Sequence, residues 1–210
     1  MSSSPILLAS LITALQKTIH DNVEEVTELD RAIGDGDHVI NLQRGLDALE
    51  KISDELSAMD WSPALMKIGM TLMSTMGGAS GSLFGTLFIS MAKAAKDKQF
   101  DSSTVADIFY QGVESVKQRG KADIGEKTML DTLIPVANSL QADLASQLTF
   151  EQLLDNVVIE AIKGMESTKD LIATKGRASF LGERSKGHID AGARTSQLMI
   201  CAIVDVFRQQ

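Results

Sequence analysis

Apolar residues along the chain recur every three or four positions rather than every second one. Leu8, Leu11, Ile12, Leu15, Ile19 and Val23 make one stripe, and Leu154, Val157, Val158, Ala161 and Met165 make another. At 3.6 residues per turn each stripe falls on one face of an amphipathic helix. Similar stripes run through Leu65, Ile68, Leu72 and Met76, through Val105, Ile108, Phe109, Gly112 and Val116, and through Leu130, Leu133, Ile134 and Ala137. The pattern predicts about eight helices, near 5–27, 38–54, 61–76, 80–96, 103–119, 128–145, 150–172 and 194–208. Thr149 with Gln152 has the spacing of a capping box at the start of the seventh. Pro135 falls inside the sixth, where its missing amide should kink it. Leu198 to Val204 is apolar all round, so the eighth should be the most buried. No alternating run beside an Asn-Gly or Asp-Gly pair signals a hairpin, and no repeat or low-complexity linker divides the chain. A single all-α domain over 1–210 is expected.

Glycines interrupt the helical pattern in four places: 34–36, 77–81, 120–125 and 176–192. The last stretch, from Lys175 to Arg194, is long, polar and glycine-rich, the profile of a lid or binding loop rather than a bundle turn. The formal net charge of −8 argues against nucleic acid as a partner, and directs attention to divalent cations, which bridge carboxylates to phosphates. The one cysteine, Cys201, excludes an intrachain disulfide and a thiolate cluster, and its apolar surroundings suit core packing. Met1 to Leu15 lacks the basic start and long apolar run of a signal peptide or membrane span, so a cytoplasmic protein without membrane partners is expected.

Each glycine stretch carries candidate chemistry. Asp30, Asp35 and Asp37 put three carboxylates within eight residues, around Gly34 and Gly36. Brought together they would repel one another, a cost that a hard cation such as magnesium removes. The other reading is an acidic start to the next helix, with Asp37 as its cap. An EF-hand is excluded, because Ile40 stands where its glycine belongs. Gly77-Gly-Ala-Ser80-Gly81 opens an apolar helix, so backbone amides and the Ser80 hydroxyl can collect a phosphate; close helix packing is the alternative. It lacks the Gly-Lys-Ser/Thr of a Walker loop, and Val39 denies the first loop a dinucleotide fingerprint. Thr128 and Met129 open another helix, with Met129 free to pack on a purine or the loop serving only as a surface turn. Arg177 can fork onto phosphate oxygens or pair with a surface carboxylate. His38 can contact phosphate or merely start its helix, His20 reads as a surface residue, and His188 as an organiser of its loop.

Taken together, Gly34-Asp-Gly-Asp-His38 with Asn41, Arg44 and Gly45, then Gly77–Gly81 with Phe84-Gly85, then Gly125–Met129 with Asp131, and then Gly176–Ser185 resemble the nucleotide-binding L subunit of dihydroxyacetone kinase. The resemblance spans nearly the whole chain. It implies a closed barrel of about eight antiparallel amphipathic helices, with ADP or ATP and two magnesium ions held in the loops at one end. It makes Asp30, Asp35 and Asp37 the metal ligands, and His38, Val39, Ile40, Asn41, Ala79, Ser80, Gly120, Met129, Arg177, Asp190, Ala191 and Gly192 the nucleotide contacts. It assigns no catalytic side chain. It implies a dihydroxyacetone-binding K subunit as one partner and a phosphohistidine protein of the phosphotransferase system as another, the bound nucleotide relaying the phosphoryl group between them.

Three positions depart from the family pattern: Val39 stands where glycine is usual, Glu126 where aspartate is usual, and Ala191 where proline is usual. Val39 could narrow the approach to phosphate, and Ala191 could loosen the last loop. Two other functions remain open at this point. A related family of fatty-acid kinases carries a similar domain within a longer chain, and a nucleotide-bound L subunit can instead serve as the regulatory partner of a transcription factor.

Overall fold

In a computed structural model, residues 7–146 and 148–209 are described, and every regular element among them is helical. Ten α-helices follow in order: α1 (Leu7–Asp21), α2 (Val23–Ile33), α3 (His38–Glu50), α4 (Ser53–Ser57), α5 (Trp61–Thr75), α6 (Gly78–Ala95), α7 (Ser102–Gly120), α8 (Leu130–Ala145), α9 (Phe150–Ser167) and α10 (Ala191–Arg208). Two 3₁₀ segments, Thr168–Asp170 and Arg177–Ser185, lie between α9 and α10.

Each expected helix is present, with changed ends. The first was expected from residue 5, and its start lies outside the described residues. Its expected length covers two helices, because Asn22 turns its side-chain amide back to the Thr18 carbonyl at 2.8 Å and takes a non-helical conformation. Such local bonds compete with the helical ladder. α2 then restarts and runs on to Ile33, which carries Asp30 on a helix rather than in a loop. The capping box forms at α9: the Gln152 amide donates to Thr149 Oγ1 at 3.3 Å, and the Thr149 amide to Gln152 Oε1 at 3.0 Å. α10 begins three residues earlier than expected, at Ala191, because Asp190 caps it.

Eight helices form a closed ring. α1 packs on α3, α3 on α5, and each of α5 to α10 on the next, until α10 returns to α1. The Gln16 side-chain amide of α1 donates to Asp47 and Glu50 at the far end of α3, while His20 and Gln43 share a groove nearer its start, so those two helices run in opposite directions. Short connections give the same alternation from α5 to α9. One apolar cluster fills the ring, from Leu8 and Ile12 through Leu72, Phe84 and Val116 to Leu154 and Val204. In α10, Leu198, Ile200, Ala202 and Val204 are buried, but Met199, Cys201 and Ile203 are half-buried. The expectation of burial all round is therefore corrected: a helix in the wall of a ring keeps an outer stripe. A small satellite cluster of Ile33, Ala173 and Ala178 with Leu181 fastens the second 3₁₀ segment to the end of α2.

Candidate functional site

The end of α2, the α2–α3 loop and the start of α3 bring Asp30, Asp35 and Asp37 together. One oxygen from each lies within 4.8 Å of the others. The turn depends on Gly34, where a Cβ would stand 2.1 Å from Asp30 Oδ1 and displace that carboxylate. The first amide of α3, that of His38, donates to Asp30 Oδ2 at 3.1 Å, so Asp30 fills the capping role. Asp37 occupies the N-cap position but its carboxylate takes no capping hydrogen bond, which leaves it open to a ligand. Arg177 reaches across to Asp35, Nε to Oδ2, at 2.7 Å. That pair is exposed, and such pairs stabilise by at most about 1 kcal/mol, so the guanidinium is readily displaced. Three carboxylates at this spacing, with no thiolate or imidazole among them, fit a hard divalent cation such as magnesium.

These aspartates form one wall of a cleft of about 470 Å³. The N-termini of α3, α6, α8 and α10 open into it, each directing the positive end of a helix dipole toward the same space. At α6 the capping residue is Gly77, which has no side chain to satisfy the first amides, and Gly78 takes a left-handed φ of 65°. Those amides stay available to an anion. Leu83 and Val116 supply an apolar side to the cleft, together with Met129. Met129, expected to be free to pack on a purine, is only 6% exposed, because it packs into the core as α8 begins.

Of the residues expected to contact nucleotide, His38, Asn41, Ala79, Ser80, Gly120, Met129, Arg177, Asp190, Ala191 and Gly192 line this cleft. Val39 and Ile40 are not among its lining. Val39 is buried in the core and Ile40 is 55% exposed, since successive residues of α3 point about 100° apart. The Val39 side chain consequently does not narrow the cleft. Ala191, the first residue of α10, is buried.

Polar groups in and around the lining tie the loops of the cleft together. The Lys127 ammonium, 1% exposed, donates to the carbonyls of Thr168 and His188, tying the end of α9 to the segment before α10. Burial lowers its pKa, against the pull of Asp190 and Asp131. Asp131 accepts the amides of Gly125 at 2.6 Å and Thr128 at 2.7 Å, shaping the turn into α8, and burial raises its pKa. Glu126 binds the Asp123 amide with one oxygen, and Thr174 Oγ1 and Lys175 with the other, latching two glycine loops together. The Asp190 carboxylate accepts the Ala193 amide at 2.8 Å, and burial raises its pKa to about 7. His38 sits between two hydroxyls, with Nδ1 3.2 Å from Ser80 Oγ and Nε2 2.9 Å from Thr195 Oγ1; burial lowers its pKa, against the nearby charges of Asp30 and Asp37.

Fold and site together define an all-helical protein whose cleft, with three aspartates on one wall and converging helix N-termini around it, suits a metal-bound phosphate. The DAK2 domain family model matches residues 32–205. The ADP-binding subunit DhaL of PEP-dependent dihydroxyacetone kinase 1 from Listeria innocua is 44% identical over 89% of this chain and 88% of its own. The corresponding PEP-dependent subunit from Escherichia coli is 38% identical over 95% of this chain and 96% of its own. The crystal structure of the C. freundii dihydroxyacetone kinase in complex with AMP-PNP and Mg²⁺ superposes with a TM-score of 0.75 at 22% identity. It covers 98% of this chain, which spans 34% of that longer one, and the likeness is one of fold. The chain belongs to the DAK2-domain family and, within it, to the DhaL group of kinase subunits. Among the described residues no helix is long and apolar enough to cross a membrane.

Proposed function

We propose that this chain is the nucleotide-carrying subunit of a dihydroxyacetone kinase, relaying a phosphoryl group from a phosphohistidine protein to dihydroxyacetone held by a partner K subunit. The observation that carries the reading is the convergence of Asp30, Asp35 and Asp37 with the uncapped N-terminus of α6 on one cleft. When bound, magnesium neutralises phosphate charge, and ADP supplies the terminal oxygen that accepts the phosphoryl group and later passes it on. Asp30, Asp35 and Asp37 would hold the metal through their carboxylate oxygens. The α6 amides would face the phosphates, and Leu83, Val116 and Met129 would give the base an apolar wall. Arg177, now paired with Asp35, would be free to fork onto phosphate oxygens once a cation takes that carboxylate.

Transfer of this kind needs alignment and charge neutralisation more than a side-chain nucleophile. In the first half a phosphorus–nitrogen bond of the donor breaks as a bond to ADP forms. In the second the hydroxyl of dihydroxyacetone attacks, loses its proton and regenerates ADP. No side chain of the cleft is assigned to binding dihydroxyacetone, so the isolated chain should not phosphorylate it from ATP.

Calorimetry with ADP tests the metal site. The expected result is binding in the presence of magnesium, lost with a chelator and lost in Asp35→Asn. Equal affinity with and without chelator would sink the reading. Mixing the chain with a K subunit, and supplying either ATP alone or the phosphohistidine protein, distinguishes a consumed nucleotide from a retained one.

A further inference from the structure

Residues 171 to 178 form a strap between two walls of the cleft. At one end Ala173 and Ala178 pack on Ile33 of α2, and Arg177 pairs with Asp35, which fastens the strap to the aspartate wall. At the other end it meets the α7–α8 loop, where Glu126 holds it. The Glu126 carbonyl accepts the Thr174 amide at 3.4 Å, and Oε1 accepts Thr174 Oγ1 at 2.9 Å and pairs with Lys175 at 3.3 Å. Oε2 accepts the Asp123 amide at 2.7 Å, so the side chain is braced on its own loop as it reaches across. The two attachments differ in kind. The first is largely apolar packing, whereas the Glu126 and Lys175 side chains are 27% and 35% exposed, so water competes for the second. Gly125 and Gly176 flank this junction with φ of 86° and 61° and no atom within 4 Å of where a Cβ would stand, so the backbone is free to turn there. Lys127, next in the chain, stays anchored to the Thr168 and His188 carbonyls.

Ala122 and Thr128 line the cleft on one side of this junction, and Lys175, Gly176 and Arg177 on the other, so parting the two loops widens the cleft. We infer that Glu126 is a positioning residue for nucleotide retention: by pinning the strap to the α7–α8 loop it keeps the cleft narrow and slows release of a bound nucleotide. It acts through Lys175 to Arg177 and is not itself part of the lining. A relay that reuses its ADP needs such a hold, because nucleotide lost between the two half-reactions ends the cycle. The role in retention rests on the nucleotide reading proposed above, whereas the pinning is a property of the free protein.

Hydrogen exchange of the nucleotide-free protein, read by mass spectrometry, tests the pinning. In Glu126→Ala, peptides spanning 121–127 and 171–177 should exchange faster than in the wild type, with α5 unaltered. Stopped-flow displacement of a fluorescent ADP analogue, with magnesium present, tests retention. Glu126→Ala should raise the dissociation rate about tenfold, the scale of lost hydrogen bonds to a charged group, without slowing association. A general loss of structure would slow association as well. Glu126→Gln, which keeps the length and one acceptor oxygen, should fall between. Thr174→Val should speed release by itself and add little to Glu126→Ala in the double variant, since both act through one contact. Exchange unaltered in both single variants, release unaltered where exchange rises, or fully additive effects overturn the assignment. Thr174→Val decides if Glu126→Ala does not fold. Wild-type protein that binds no analogue refutes the nucleotide reading and the retention role with it, while exchange still decides the pinning.

Discussion

At the start of α10, the Asp190 carboxylate both caps a helix and lines the cleft, and burial holds its pKa near 7. An unfolded aspartate releases its proton near pH 4, so between about pH 4 and 7 the folded chain binds more protons than the unfolded one. This residue's contribution to stability therefore falls as pH rises through that window and levels off above it, with a slope of at most about 1.4 kcal/mol per pH unit. Asp190→Asn should flatten that part of the profile in urea unfolding experiments, and a slope unchanged by the substitution would show that the carboxylate is not the titrating group. At this scale the sequence was legible where chemistry and spacing coincide. Asp30, Asp35 and Asp37 could be found because three carboxylates so close along a chain are costly without a use. Along 38 to 41 the rotation of the helix turns the Val39 side chain inward and that of Ile40 outward, a difference that position along the chain does not reveal. Thr195 gave no signal, since one hydroxyl on a buried helix face looks like ordinary core.

Helix α8 shows how an element is placed by two residues far apart in the chain. Pro135 has no amide hydrogen, so the carbonyl of Asp131, one turn earlier, lacks its helical donor. Gly164 of α9 packs directly against that carbonyl: a Cβ there would lie 2.2 Å from the Asp131 oxygen and 2.9 Å from the Thr132 Cα. Both neighbours are backbone, which cannot swing aside. Gly164→Ala should push α9 away from α8 and cost about 1–3 kcal/mol in urea denaturation, the range for overfilled cores. Because Asp131 also shapes the turn that presents Thr128 and Met129, the same variant should weaken nucleotide binding; unchanged stability would mean the two helices separate without cost. The eight helices themselves were legible, because a ring with one filled core demands an apolar stripe from every member. The break at Asn22 was not, since it depends on a side chain choosing the Thr18 carbonyl over solvent. Nor was the 3₁₀ segment Arg177–Ser185, whose place is set by contacts of Ala178 and Leu181 with Ile33 and Ala173.

The whole molecule carries a net charge of −8, yet Arg119, Lys175 and Arg177 all line the cleft, so cationic side chains gather where a phosphate would enter. Beside them, Phe180 is 87% exposed, Ile124 54% and Ile172 37%, on the segments that border the cleft. Large apolar side chains so exposed on adjoining segments are the kind of surface a partner would cover under the proposed relay. This is the face from which dihydroxyacetone on a partner subunit must approach under the proposed relay, because the phosphoryl group can leave only through the cleft mouth. Phe180 lies on the outer side of its segment, away from the Ile33 cluster, so changing it should not disturb the fold. Phe180→Asp should leave magnesium-dependent ADP affinity and melting temperature unaltered, and raise the K-subunit concentration needed for half-maximal turnover by about tenfold or more, as expected for losing a central aromatic anchor. If coupled-assay titrations with the K subunit superpose for variant and wild type, the partner docks elsewhere, and the exposed ring must be explained without it.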